Sequence, residues 1–237
     1  MTNPLPLRLA ATCIPIRSRS TAPLEVLMVR RNPELSFGGL WTFPGGVFED
    51  DDGPAPASPD EELENWGHPQ LLATAANAAV RETVEETELH CDVASLAWFS
   101  HWIPPLVGPP KRFATWFFLA PEHHGEIVVN TDENDEARWV APADALDQST
   151  VGDFPLTIPT WVTLDDLRVA ESIPLLIDRC ITQGATQKRT RAFPSGDERV
   201  VCWSGDAAYE ADTPDVPGSR NRVRATKGGS VIERIVS

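Results

Sequence analysis

The run LLATAANAAVRETVEET, residues 71–87, decides how the rest of the 237-residue chain is read. It contains no Gly or Pro and is rich in Ala, Leu and Glu, so it predicts a helix. Leu72, Ala75, Ala76, Ala79 and Thr83 recur at helical spacing and form a narrow face of small residues suited to close packing. Glu82 and Glu86 are four residues apart and Glu85 is three from Glu82, which sets three carboxylates on one side of one helix. Arg81 precedes Glu85 by four and can pair with it. Such a group repels itself in water and suits a hard divalent ion, Mg²⁺ or Mn²⁺, of the kind that also holds phosphates. Taken alone, the same run is better read as a solvated acidic helix end.

Upstream lies FGGLWTFPGGVF, residues 37–48, whose Gly45-Gly46 pair lets backbone come close to an ion or a phosphate. Residues 49–69 are acidic and proline-rich and read as an exposed loop. Within it, Ser58, Pro59, Asp60 and Glu61 signal the start of a short helix running to Trp66. Apolar runs at 7–16, 24–30, 96–103 and 113–120 read as strands, with a short strand at 137–140. A helix opens at 142–147, and 162–183 reads as a second helical region interrupted at Pro174. The tail from 184 is patchy, with strand-like pieces at 199–203 and 230–236. Arg220, Arg222 and Arg224 alternate there and would share one face of a strand, turned to a phosphate or to the acidic body.

Charge narrows the function classes. Twenty basic against 35 acidic residues leave a net −15, which repels nucleic acid in bulk. The excess sits in residues 1–187, with 11 basic and 28 acidic residues, whereas 188–237 hold 9 and 7. An acidic body that handles an anionic substrate needs bridging cations. Eight Trp and nine Phe exclude disorder as the main state, and no apolar stretch approaches the roughly 20 residues of a membrane span. Cys13, Cys91, Cys180 and Cys202 lie far apart and read as core thiols, neither a zinc site nor a disulfide framework. Pro4, Pro6 and Arg8 argue against a signal peptide, and Ile235-Val236-Ser237 is no peroxisomal tripeptide, so the expected compartment is a reducing cytoplasm.

A Gly-Gly loop followed by R-E-x-x-E-E on a helix resembles the Nudix box of the nucleoside-diphosphate-X hydrolases, G-x5-E-x7-R-E-U-x-E-E-x-G-U with U aliphatic. Gly46 opens it, Arg81, Glu82, Glu85 and Glu86 match, and Leu89 fills the last aliphatic position. Thr83 stands where an aliphatic residue is usual and Glu88 where glycine is usual. Between Gly46 and Arg81 lie 34 residues where the plain pattern has 13, which leaves the first acid of the box open among Glu49 to Asp52. A long insertion here is similar to the branch that includes mammalian peroxisomal coenzyme A diphosphatases and their bacterial relatives. Gly39-x3-Phe43-Pro44-Gly45-Gly46 is similar to the end of that branch's coenzyme A motif, with Leu35 in place of its arginine. Lys111-Arg112-Phe113 onward looks like its basic pair and following strand, with Ala114 and Trp116 where Asp and Arg are usual.

The resemblance implies an α/β/α sandwich with a mixed sheet over residues 1–183, an insertion at 49–70, and a C-terminal extension, 184–237, packed on the same domain. It implies hydrolysis of a diphosphate in a small nucleotide derivative, coenzyme A or an acyl-CoA being favoured. Metal ligands would be Glu82, Glu85, Glu86 and the Gly46 carbonyl. Glu82 would share in base catalysis, Arg81 would orient Glu85, and Glu133 is the favoured late glutamate of the acidic loop 132–136. Arg30, Arg31, Lys111 and Arg112 are the basic residues nearest in sequence order and suit phosphate contact. Trp41, Phe48, Trp102 and Trp116 are read as packing rather than base-stacking groups. The tail is open to three roles: sheet completion, a homodimer contact or cover for the pocket. The rival reading is a non-catalytic Nudix-fold module that binds a nucleotide as a sensor or serves as an interaction module.

Overall fold

In the computed structural model of the chain, residues 6–20, 22–35, 38–56, 66–106, 111–195, 197–211, 213–226 and 229–235 are described. Strands β1 (Leu7–Arg19), β2 (Ala22–Arg31), β3 (Trp41–Thr42) and β4 (Gly45–Val47) precede helix α1 (Pro69–Thr87). There follow β5 (His90–Cys91), β6 (Ala97–Ile103), β7 (Arg112–Ala120), β8 (His123–His124) and β9 (Asn134–Val140). Helices α2 (Pro142–Thr150), α3 (Ile158–Leu167) and α4 (Ile173–Gln183) come next. The tail holds β10 (Thr186–Ser195), β11 (Glu198–Trp203), α5 (Ala207–Ala211), β12 (Arg220–Thr226) and β13 (Gly229–Ile235).

The layers follow from the two-residue period of the strands. Leu9, Ala11 and Cys13 of β1 face one side with Trp116 and Phe118 of β7, and there they meet Leu71, Ala75, Ala78 and Ala79 of α1. Ile14 and Ile16 face the other side with Phe117 and Leu119, beneath Ala145, Val162, Leu164, Leu167 and Leu176 from α2, α3 and α4. The sheet between them is mixed: β1 runs parallel to β7 but antiparallel to β2 and β4. This is the sandwich that the resemblance implies. Ala114 and Trp116, which replace charged residues of the coenzyme A branch, are both buried on the α1 side.

Two expectations shift. The buried face of α1 includes Leu71, Thr74 and Ala78 rather than Leu72 and Ala76, which lie half-buried at its margin. Thr83 sits on that face without strain, because its hydroxyl donates to the Ala79 carbonyl at 2.7 Å. Residues 162–183 form no single interrupted helix. Pro174 lies in the first turn of α4, where a missing N–H is harmless, so the break comes before it, where Ser172 caps the new helix. The helix expected from Ser58 lies outside the described residues. No helix among the described residues is long and apolar enough to cross a membrane.

The tail continues the sheet. Strand β10 pairs in parallel with β6, and β11, β12 and β13 follow antiparallel. The alternating arginines of β12 meet protein partners. Arg222 forks onto Asp206 at 2.5 and 2.7 Å with both side chains wholly buried, while Arg224 pairs with Glu233 and Glu198. Arg222→Met would strand the Asp206 charge, and a cost of about 3–5 kcal/mol is expected in urea unfolding; a change below about 1 kcal/mol would mean that the pair does not hold the tail.

Candidate active site

The Gly-Gly bend and the end of α1 meet because β4 lies on β1, with Gly46 opposite Ala11 and Gly45 opposite Thr12. A side chain at Gly46 would land on the Glu82 carboxylate, so glycine here is what leaves that carboxylate its place beside the bend. The Gly45 N–H donates to Glu86 Oε2 at 3.1 Å. Glu82 and Glu86 are both buried, whereas Glu85 is 49% exposed at the rim.

Arg81 ties the assembly together. Its Nε and Nη2 grip Asp52 at 2.9 and 3.0 Å, Nη2 also reaches the Val47 carbonyl, and Nη1 donates to Glu82 at 3.0 Å and Glu85 at 2.9 Å. These five bonds match the five N–H donors of a guanidinium, so Arg81 positions other groups and has no donor left for a substrate. The acid it selects among Glu49 to Asp52 is Asp52, the sixth residue after Gly46 and the place that G-x5-E reserves for its first acid. Burial pushes the Asp52 carboxyl up, but Arg81 and the Glu49 N–H outweigh that and hold it below its ordinary value.

Both buried glutamates hold their protons more tightly than usual, though to different degrees. Burial raises the Glu82 carboxyl, Arg81 draws it down, and the charges of Glu85 and Glu133 raise it again, leaving it above its ordinary value. Glu133, from the acidic loop, is half-buried and close enough for its charge to act on Glu82. Burial pushes Glu86 up to about 8, although the Asn134 side chain and the Gly45 N–H oppose the shift.

The basic candidates separate. Arg31 stands 3.7 Å from Glu86 Oε1. Arg30, its neighbour, is forked onto Asp135 at 2.7 and 3.0 Å and also lies 3.4 Å from Glu136. Lys111 and Arg112 stand at the start of β7, with Arg112 opposite Leu7, while the row of Gly46 crosses β7 at Trp116. Four residues along a strand is about 13 Å, so their backbone lies well away from the carboxylates.

Among the described residues no three His, Cys, Asp or Glu side chains form a complete cage for a metal. The donors present nevertheless suit a hard cation, because Glu86 Oε1 is buried with no hydrogen-bond partner beside a glycine that leaves room for Glu82. Asn134, wholly buried against Glu86, belongs to this site and escaped the sequence reading.

A glutamate whose folded value lies near 8 against an ordinary 4.5 binds its proton more tightly folded than unfolded. Stability contributed by that proton is therefore full below about pH 4.5 and drains away as pH rises towards 8. In EDTA, thermal melts from pH 5 to 8 should show the wild type losing stability relative to Glu86→Gln, which carries no titrating group there; parallel pH profiles would contradict the burial argument.

The NUDIX domain family model matches residues 67–158, from just before α1 to the start of α3. No curated protein matches the sequence. Among solved structures, the chain is similar to a NUDIX hydrolase from Alicyclobacillus acidocaldarius, at 24% identity over 73% of this chain and 96% of that one, with a TM-score of 0.59. It is also similar to a MutT NUDIX hydrolase from Burkholderia pseudomallei, at 19% identity over 69% and 98% of the two chains, TM-score 0.45. A third is the NUDIX domain of Shewanella oneidensis NrtR complexed with ADP ribose, at 16% identity over 68% and 86%, TM-score 0.47. The first of these likenesses, with the matched domain, identifies the architecture as the Nudix fold.

Proposed function

We propose that this chain, which carries a Nudix domain, is a hydrolase that uses Mg²⁺ or Mn²⁺ to cleave the diphosphate of a small nucleotide derivative. The observation that carries the reading is the pair of buried carboxylates brought against the Gly-Gly bend, Glu82 beside Gly46 and braced by Arg81, Glu86 held by the Gly45 N–H. Water attacking a diphosphate must be oriented and stripped of a proton while negative charge on the phosphates is neutralised. A divalent ion supplies charge neutralisation and a more acidic bound water. Glu82, Glu85, Glu86 and the Gly46 carbonyl would hold it.

The chain's own groups supply the rest. Glu82, with its proton affinity raised by burial, is suited to take the proton from water, and Glu133 stands second. Arg81 fixes the direction of Glu82 and Glu85. Arg31 is the cation placed to meet a phosphate at the carboxylates, since Arg30 is already committed to Asp135. Coenzyme A or an acyl-CoA is the substrate proposed, on the strength of the long insertion and the run Gly39-x3-Phe43-Pro44-Gly45-Gly46.

The test is incubation with Mg²⁺ or Mn²⁺ and a panel of coenzyme A, NADH, ADP-ribose and dinucleoside polyphosphates, with products identified by mass spectrometry. The expected outcome is a metal-dependent pair of phosphate-bearing products, with ¹⁸O from water in one of them, and a loss of about 10²–10⁴-fold in rate for Glu82→Gln. Nucleotide binding without turnover would instead favour the sensor, and product from ADP-ribose but not coenzyme A would remove the substrate assignment alone.

A further inference from the structure

Four buried side-chain atoms without a hydrogen-bond partner come together at the carboxylate site: Arg31 Nε, Glu86 Oε1, and both Oδ1 and Nδ2 of Asn134. Asn134 is wholly buried at the start of β9, directly across from Arg31 of β2, where the pairing of the two strands shifts register. Its side-chain N–H lies near enough to Glu86 to draw that carboxyl's proton affinity down, yet neither polar atom of the amide reaches hydrogen-bond geometry with any partner. The backbone that carries it is firmly seated. The Asn130 N–H donates to the Glu86 carbonyl at 2.9 Å, and the Asn134 N–H donates to the Asn130 carbonyl at 2.9 Å.

A buried amide with neither end satisfied works against folding, and a leucine of similar size would avoid the penalty. Such a group belongs where something else completes it. Arg31 does not, since its closest approach to Glu86 is 3.7 Å and its own Nε is left over. Turning the Asn134 oxygen towards Glu86 Oε1 breaks no hydrogen bond of full geometry and gives up only the pull of its N–H on the carboxylate, which a cation between the two would replace; amide and carboxylate oxygens together are the ligand types that hard divalent ions accept.

We propose that Asn134 is a cation ligand, its amide oxygen and Glu86 Oε1 forming a prepared pair for the divalent ion. This rests on the metal-dependent reading of the site and adds to it a residue outside the helix that carries the glutamates. In the absence of the ion, Arg31 provides the positive charge that Glu86 faces.

Calorimetric titration of the full chain with Mn²⁺ alone tests this without reference to turnover. Asn134→Leu should weaken Mn²⁺ binding by about tenfold or more, and Asn134→Asp, which keeps an oxygen in place, should bind at least as tightly as the wild type. Melting in EDTA serves as the control, where Asn134→Leu should be no less stable than the wild type because it removes the unsatisfied amide. If that variant fails to fold, Asn134→Ala and Asn134→Asp carry the comparison, with Ala expected weak and Asp strong. Wild-type Mn²⁺ affinity in the folded Leu variant, or in the Ala variant should it be needed, would overturn the proposal and leave Asn134 a structural residue. A wild-type chain that binds no Mn²⁺ would instead bring down the metal-dependent reading itself.

Discussion

The Arg81 guanidinium is the interaction on which the site depends. It joins three pieces of chain that are distant in sequence: the strand of the Gly-Gly bend through Val47, the turn that ends in Asp52, and the helix through Glu82 and Glu85. Each N–H has one acceptor, and the negative partners let Arg81 hold its proton more tightly than a free arginine does. Side chains on one turn of a helix would otherwise splay from their mutual repulsion. Arg81 holds Glu82 inward against that repulsion, while Glu86 is turned inward by the Gly45 N–H and the charge of Arg31. The third, Glu85, stays at the surface because its share of Arg81 is reached from the rim.

What Arg81 assembles is an unfinished place by the standards of a protein interior. Glu86 is buried with an idle oxygen, and the nearby amide of Asn134 has no partner. The departures from the Nudix pattern, by contrast, are absorbed locally. Thr83 hides its hydroxyl on the carbonyl one turn back. Glu88 adopts the left-handed conformation, φ 55°, that closes the helix and that glycine would take more cheaply. Strain at the helix end and repulsion within the site are separate burdens, and only the second bears on chemistry.

Much of the molecule is legible in its sequence. The helix over 71–87 can be read because a long run of strong formers needs no tertiary help, and its glutamates because their spacing fixes their side of the helix. Other features are hidden for definite reasons. Arg30 and Arg31 look equivalent as neighbours, yet successive strand residues face opposite ways, and one meets Asp135 while the other meets Glu86. Lys111 and Arg112 seem near because sequence order is not sheet order. Asn134 gives no signal at all, since one amide in an acidic loop matches no periodicity. Asp52 is within reach: six residues on from Gly46 singles it out once the long gap is placed after that acid rather than before it. In the tail, the row of arginines is visible, but Asp206, which satisfies Arg222, lies 16 residues away in sequence and can be found only in three dimensions.

Arg81 clamps Asp52 to α1, and Trp66, just before that helix, packs on Trp98 and His101, so the chain between these two points is a loop with both ends held against the body. The entropy of closing such a loop grows only with the logarithm of its length, about 0.6 kcal/mol per doubling. Extra residues between two such anchors therefore add little closure entropy, and the carboxylate geometry behind them does not hinge on how many there are.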